Sequence, residues 1–320
     1  MAATCAQPSR TFQAAAHEGG LPRRGKLRPV MMQPARWKRG AGYCGALLLL
    51  AFAATVACNR SDPPRDDLRL YVFDCGRIQL DSVRMFGLAD EDTDVRELSV
   101  PCYVIEHPDG RLLWDGGLPS SLASTPGWQR DGVGGAIRLD RPLAEQLAAL
   151  NLGMDAFDYV AFSHMHFDHV GVANELRGGT LLIQRAEHDA AFAAGATAPG
   201  FDPKLYEGLR AARIQLLDGD HDVFGDGRVR IIAAPGHTPG HQVLLVRLAE
   251  TGPVLLSGDL YHFAASRELR RVPPFNADGD QTIASMQRVE DLLKETGGAL
   301  WIEHELAHFE RLKKAPEHYR

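Results

Sequence analysis

The chain has 320 residues, 45% of them hydrophobic, enough apolar material for one large core or two small ones. Its formal net charge of −6 is unevenly spread: residues 1–58 carry eight Lys/Arg and one acid, Glu18, whereas 59–320 carry 27 basic against 40 acidic side chains. So acidic a body argues against nucleic acid as substrate, because phosphate binding is driven by Lys and Arg.

In chain order, residues 1–58 read as a leader. RWKRG (36–40) is a charged stretch ahead of an apolar run, GALLLLAFAATVA (45–57), of signal-peptide length and short for a membrane span. The run leads into TVAC, ending at Cys58. Small residues before a cysteine resemble a bacterial lipobox, although Thr55 stands where leucine is usual. The resemblance implies a mature chain starting at Cys58 and lipid-anchored there, in the cell envelope or periplasm. The alternative is an uncleaved membrane anchor. Met31 or Met32 is the expected true start. A polar linker, NRSDPPRDD (59–67), follows. Of the five cysteines only Cys75 and Cys102 lie beyond the leader. An oxidising compartment permits a disulfide, but spacing alone does not support one, and two buried thiols are the expectation.

From residue 68 to 320 the pattern is that of one α/β layered domain. LRLYVFDCG (68–76) and VPCYVIEHPDGRLLWDGG (100–117) read as strands, the second with His-Pro-Asp-Gly as a hairpin turn. Residues 77–99 read as loop. RPLAEQLAALNLG (141–153) has helical spacing and a glycine stop. FDYVAFS (157–163) reads as a buried strand, with further strands at 179–184, 229–235, 241–248, 253–259 and 298–305 and an amphipathic helix at 280–295.

The strand at 157–163 runs into HMHFDH, three histidines and an aspartate in six positions. In extended chain His164 and His166 point the same way, and Asp168 is a natural N-cap for a helix starting there, with His169 after it. Two pairs of donors at different heights suit two ions better than one. Three other strands each end on one donor: His237 in APGHTPGH, Asp259 in LLSGDLYH and His304 in LWIEHE. Core packing does not explain that recurrence. All seven donors are nitrogen or oxygen, which suits zinc but also iron, cobalt or manganese. Paired ions make hydrolysis the natural chemistry. His241 reads as structural. His107, His188, His221, His308 and His318 read as surface or turn residues, and Trp114 as core. Asp115 is either an orienting partner of a ligand imidazole or a turn former.

HxHxDH, GHTPGH, a strand ending Gly-Asp and a late strand ending in His together resemble the metallo-β-lactamase superfamily, from about residue 68 to near the C-terminus. The resemblance implies an αββα sandwich with a dinuclear site at one edge of the sheets. It implies His164, His166 and His237 as ligands of one metal, Asp168, His169 and His304 as ligands of the other, and Asp259 as the bridging carboxylate. Within the superfamily, common zinc β-lactamases place a cysteine where Asp259 stands. Nucleases want a basic surface, and flavin-linked members need an added flavodoxin-like domain. Glyoxalase II-type thioesterases carry a helical basic C-terminal region, unlike the short stretch from His304 to Arg320.

VPCYVIEHPDGRLLWDGGLP and the run from Asp259 to His304 resemble the N-acyl homoserine lactonase branch. That implies opening of an acyl lactone ring by a hydroxide shared between two metals, and hence quorum quenching. The runner-up is another ester, thioester or lactam. The expected partners are a small acyl lactone or ester and, through the leader only, a membrane. One departure stands out. Known members carry a tyrosine three residues after the bridging aspartate; here that position is His262 and the tyrosine is Tyr261. Either is a candidate substrate contact, and Asp168 is an alternative proton carrier.

Overall fold

The computed structural model describes residues 68–130, 135–193 and 200–320. The expected leader (1–58), its Cys58 and the linker (59–67) lie outside the described residues.

Apolar runs buried on both faces dictate the architecture. Along β1 (Arg69–Leu80) and β2 (Glu97–His107), alternate residues face opposite layers: Leu70 and Val72 pack inward, Tyr71 and Phe73 outward. The remaining strands are β3 (Gly110–Trp114), β4 (Gln129–Arg130), β5 (Gly135–Arg138), β6 (Tyr159–Ala161), β7 (Thr180–Gln184), β8 (Arg213–Leu217), β9 (His221–Asp222), β10 (Val229–Ala233), β11 (Gln242–Leu248), β12 (Gly252–Leu256) and β13 (Ala299–Trp301). They form an eight-stranded sheet, β4-β5-β1-β2-β3-β6-β7-β8, and a five-stranded sheet, β13-β12-β11-β10-β9.

The inner layer joins Leu70, Ile105, Leu112 and Trp114 of the first sheet to Ile231, Leu244, Val246 and Leu256 of the second. Helices cover both outer faces. α1 (Leu143–Ala148) and α2 (Arg185–Phe192) pack on the first sheet. α4 (Gly279–Thr296) lays Met286, Val289 and Leu293 on Ile232, Val243, Leu245 and Leu255 of the second. Asp278 caps α4 by accepting the Gln281 N–H, and Gly297 ends it in the left-handed region. Short α3 (Ala264–Glu268) and α5 (Leu306–Phe309) complete the αββα sandwich. No helix among the described residues is long and apolar enough to cross a membrane.

Four expectations change. Residues 77–99 are not all loop: a bulge between Asp74 and Arg77 lets β1 continue to Leu80, and Ile78, Leu80, Val83, Phe86 and Leu88 build an apolar cluster of their own. No helix starts at Asp168, because the chain there closes a turn in which the His169 and Val170 N–H groups donate to the His166 carbonyl. His107 is buried, stacked on Phe224 and paired with Asp226. Cys75 and Cys102 are not two thiols but a disulfide. Cys102 opposes Phe73 across the ladder, and Cys75, two residues on from Phe73, shares its outer face, with a Cα–Cα distance of 5.8 Å.

The bridge closes a loop with a sequence separation of 27. Replacing both cysteines by alanine should lower stability by about 2–4 kcal/mol. Urea unfolding of the double variant beside the oxidised parent measures this, and coincident curves would contradict it.

Candidate metal centre

β3, β6 and β7 run parallel, as do β12 and β13, so the carboxyl ends of several strands meet at one edge. β6 ends into Ser163 and His164, β10 into His237, β12 into Asp259 and β13 into His304. Gly258 (φ 47°) makes the close approach behind Asp259 possible: a Cβ there would lie 2.6 Å from Ser163 Cβ and 2.8 Å from His241 Nε2.

All seven donors expected from the sequence come together. One atom each from His164, His166, His237 and Asp259 fall within 4.8 Å of one another, and so do those of Asp168, His169 and His304. Asp259 joins the two groups. Its Oδ2 lies 3.3 Å from His237 Nε2 and 3.7 Å from His164 Nε2, while its Oδ1 lies 2.9 Å from His304 Nε2 and 3.3 Å from His169 Nε2. Each oxygen faces one cluster, as a bridging carboxylate must.

Neighbours fix which nitrogen faces inward. The His237 Nδ1–H donates to Asn276 Oδ1 (3.0 Å) and the His304 Nδ1–H to the Ser99 carbonyl (2.7 Å), leaving both Nε2 atoms for the centre. His169 Nδ1 lies 3.3 Å from Asp115 Oδ2 and 3.1 Å from Ser163 Oγ. Asp115, in the left-handed region at φ 57°, also accepts the Ser163 N–H at 2.6 Å. It is therefore both turn former and orienting partner. His241 donates from Nδ1 to the Ala234 carbonyl and accepts the Asp259 N–H on Nε2 at 3.0 Å. It sits behind the bridging aspartate and holds its backbone.

The donors fit a dinuclear metal site on their own chemistry. His237 Nε2 lies 3.1 Å from His164 Nε2 and 3.2 Å from His166 Nδ1, so three imidazole nitrogens point at one place. His169 Nε2 and Asp259 Oδ1 are buried without a hydrogen bond of good geometry. Burial pushes His164, His166 and His237 below the usual histidine range, His166 to about 3, which keeps their lone pairs free. On the other side burial opposes the charge of His169 and His304, but Asp168 and Asp259 outweigh it at His169, and Asp259 raises His304 to about 9. Cation binding would displace those protons.

Two further residues divide cleanly. Tyr261 does not reach the centre. Its backbone is extended (φ −137°, ψ 125°), and its hydroxyl donates to Glu290 Oε1 at 3.0 Å in the layer under α4. His262, on the opposite side of the chain, lies 3.2 Å from Asp259 Oδ2 and lines the cavity above the clusters. That cavity, about 350 Å³, is walled by Ile78, Leu80, Met85, Phe86, Leu98, Phe167 and Phe275 and floored by His166, Asp168, Asp259 and His304. Sequence reasoning missed Glu187 and Glu303, both buried carboxylates. Glu303 stands in one cluster with Asp115 and His169, and burial followed by the Asp115 charge pushes its carboxyl well up. Its place immediately before His304 at a strand end is the one cue the sequence held.

Comparison with known proteins agrees with this geometry. A family model described as the metallo-beta-lactamase superfamily matches residues 95–301. The N-acyl homoserine lactonase AttM of Rhizobium johnstonii is 31% identical over 261 residues, covering 79% of this chain and 99% of that one. The N-acyl homoserine lactonase AiiA of Bacillus thuringiensis subsp. kurstaki is 26% identical over 256 residues, covering 78% and 98%. A solved N-acyl homoserine lactone hydrolase, with the product N-hexanoyl-L-homoserine at its catalytic metal centre, superposes with a TM-score of 0.66 at 25% identity, covering 78% and 98%.

Asp115→Asn keeps the turn but removes the charge facing His169. It should weaken metal retention about 10–100-fold, read as metal per chain after dialysis against graded chelator. Unchanged retention would remove Asp115 from the site.

Proposed function

The chain belongs to the metallo-β-lactamase superfamily, and on that premise we propose that it is a metal-dependent hydrolase opening the lactone ring of N-acyl homoserine lactones, a quorum-quenching activity. The observation that carries the reading is the composition of the cavity. Its floor is formed by four of the seven donors, His166, Asp168, Asp259 and His304, and its walls are almost wholly apolar. That matches a substrate with a polar ester head and an aliphatic tail. The named relatives support the same reading.

His164, His166 and His237 would hold one divalent ion and Asp168, His169 and His304 the other, with Asp259 between. Two such ions, zinc being the first choice, supply Lewis acidity that lowers the pKa of water and polarises an ester carbonyl. The chain's own residues do the rest. Ile78, Leu80, Met85, Phe86, Leu98 and Phe275 take the acyl tail and exclude water from it. The His262 imidazole, the wall's polar side chain outside the seven donors, is placed to donate a hydrogen bond to a substrate oxygen. Water adds to the ester carbon, the ring C–O bond breaks, and the departing alkoxide takes up a proton at the side where Asp168 stands. The product is the ring-opened acid.

The leader and the disulfide support a place outside the cytoplasm, in the envelope or periplasm, with lipid on Cys58. Protein from the membrane fraction should carry labelled fatty acid after growth with it, and Cys58→Ser should carry none; a parent chain that takes up no label would argue for the uncleaved anchor.

Purified, metal-loaded protein should consume acyl homoserine lactones and release the ring-opened acid. His262→Phe keeps the ring's bulk and removes its donor, and should lower kcat about 100-fold with both ions retained. Tyr261→Phe should leave kcat/KM unchanged and cost about 1 kcal/mol of stability. A side-by-side screen of lactones, thioesters and β-lactams decides the substrate: turnover confined to either of the last two would overturn the lactone assignment.

A further inference from the structure

α2 follows β7 without a connecting loop, and its third residue, Glu187, turns inward and is 1% exposed. Its carboxylate makes two bonds to backbone. Oε1 accepts the Met165 N–H at 2.8 Å, and Oε2 accepts the Gly240 N–H at 2.9 Å. Met165 lies between His164 and His166. Gly240 lies between His237 and His241. One side chain therefore ties together the two turns that carry every imidazole of the first cluster, together with the imidazole that holds the Asp259 backbone. The contact leaves no slack: a Cβ at Gly240 would run into the backbone and side chain of Glu187.

We propose that Glu187 is a positioning residue for the first metal, setting the distance between the His164–His166 turn and the His237 turn. It touches neither ion nor substrate. A carboxylate suits the task because it offers an acceptor on each side, whereas a neutral amide offers one acceptor and one donor. The buried N–H left facing the amide's NH2 would lose its acceptor, and its turn would draw away to find another. The three nitrogens that now converge would then diverge. This rests on His164, His166, His237 and Asp259 being metal ligands and is independent of which ester is cleaved.

The test uses purified, metal-loaded protein and zinc as the probe. Glu187→Gln should lose one of its two ions to a competing chelator at about 10–100-fold lower chelator concentration than the parent, the other ion being held as before. Its kcat should fall, excess zinc should restore most of it, and KM should not change, because the acyl wall comes from other elements. Glu187→Asp keeps the charge but falls one methylene short, and should lie between the two; it carries the test if Glu187→Gln does not fold. Either variant holding both ions as tightly as the parent would overturn the proposal. So would a variant whose melting temperature falls equally with and without added zinc, since that marks a buttress of the fold alone. Zinc retention is read without substrate, so a failure of the lactone assignment is told apart from a failure here.

Discussion

Everything at the functional edge depends on the burial of one carboxylate. Asp259 sits where the ends of two sheets meet and is nearly inaccessible, with imidazoles against both of its oxygens. A buried carboxylate without compensation costs several kcal/mol, so its surroundings must supply positive charge. They do so unevenly. Toward Oδ1, His304 and His169 are drawn to protons by Asp259 and Asp168; toward Oδ2, burial keeps His164 and His237 neutral. One half of the site attracts cations and the other offers lone pairs. A pair of divalent ions answers both demands at once, which a set of protons cannot.

The ligands do not hold themselves in place. Ser99, Asp115, Asn276 and His241 each engage a ligand at a point away from the centre, and they come from different strands and loops. Such partners set the ring orientations and the choice of nitrogen. Glu187 extends the pattern from side chains to backbone, gripping two turns instead of two rings. The glycines at 240 and 258 belong to the same construction, since each marks a place where a ligand-bearing segment presses against its support.

Much of this was legible in the sequence because metal ligands are local in chemistry even when distant in chain. HMHFDH, His237, Asp259 and His304 stand at strand ends, and strand ends of parallel strands share an edge. The layers were legible for a similar reason: runs apolar at every position, such as those around Leu112 and Leu244, must be covered on both faces. What stayed hidden depended on register. The pairing of Phe73 with Cys102 sets Cys75 beside Cys102, and the β1 bulge between Asp74 and Arg77 turns Ile78 and Leu80 toward the cavity, yet neither is marked by a distinctive residue type. Glu187 carries no spacing signal of its own, because the two N–H groups it accepts from lie 22 and 53 positions away. His107 looked like a hairpin residue because Asp226 and Phe224, which enclose it, lie more than a hundred positions away.

Register also settles which of two neighbouring side chains faces the cavity. After Asp259 the backbone leaves its short helical turn and becomes extended at Tyr261, and consecutive side chains of an extended segment take opposite faces. If His262 faces the cavity, Tyr261 must face α4, and the bond from its hydroxyl to Glu290 fixes it there. The displacement of a tyrosine by one position is therefore not a small shift of the same group but its exchange for a different one. A phenol gives way to an imidazole that lies against Asp259 and packs on Phe86 and Phe275 of the apolar wall. The same ring thus touches both halves of the cavity, the polar floor and the aliphatic channel.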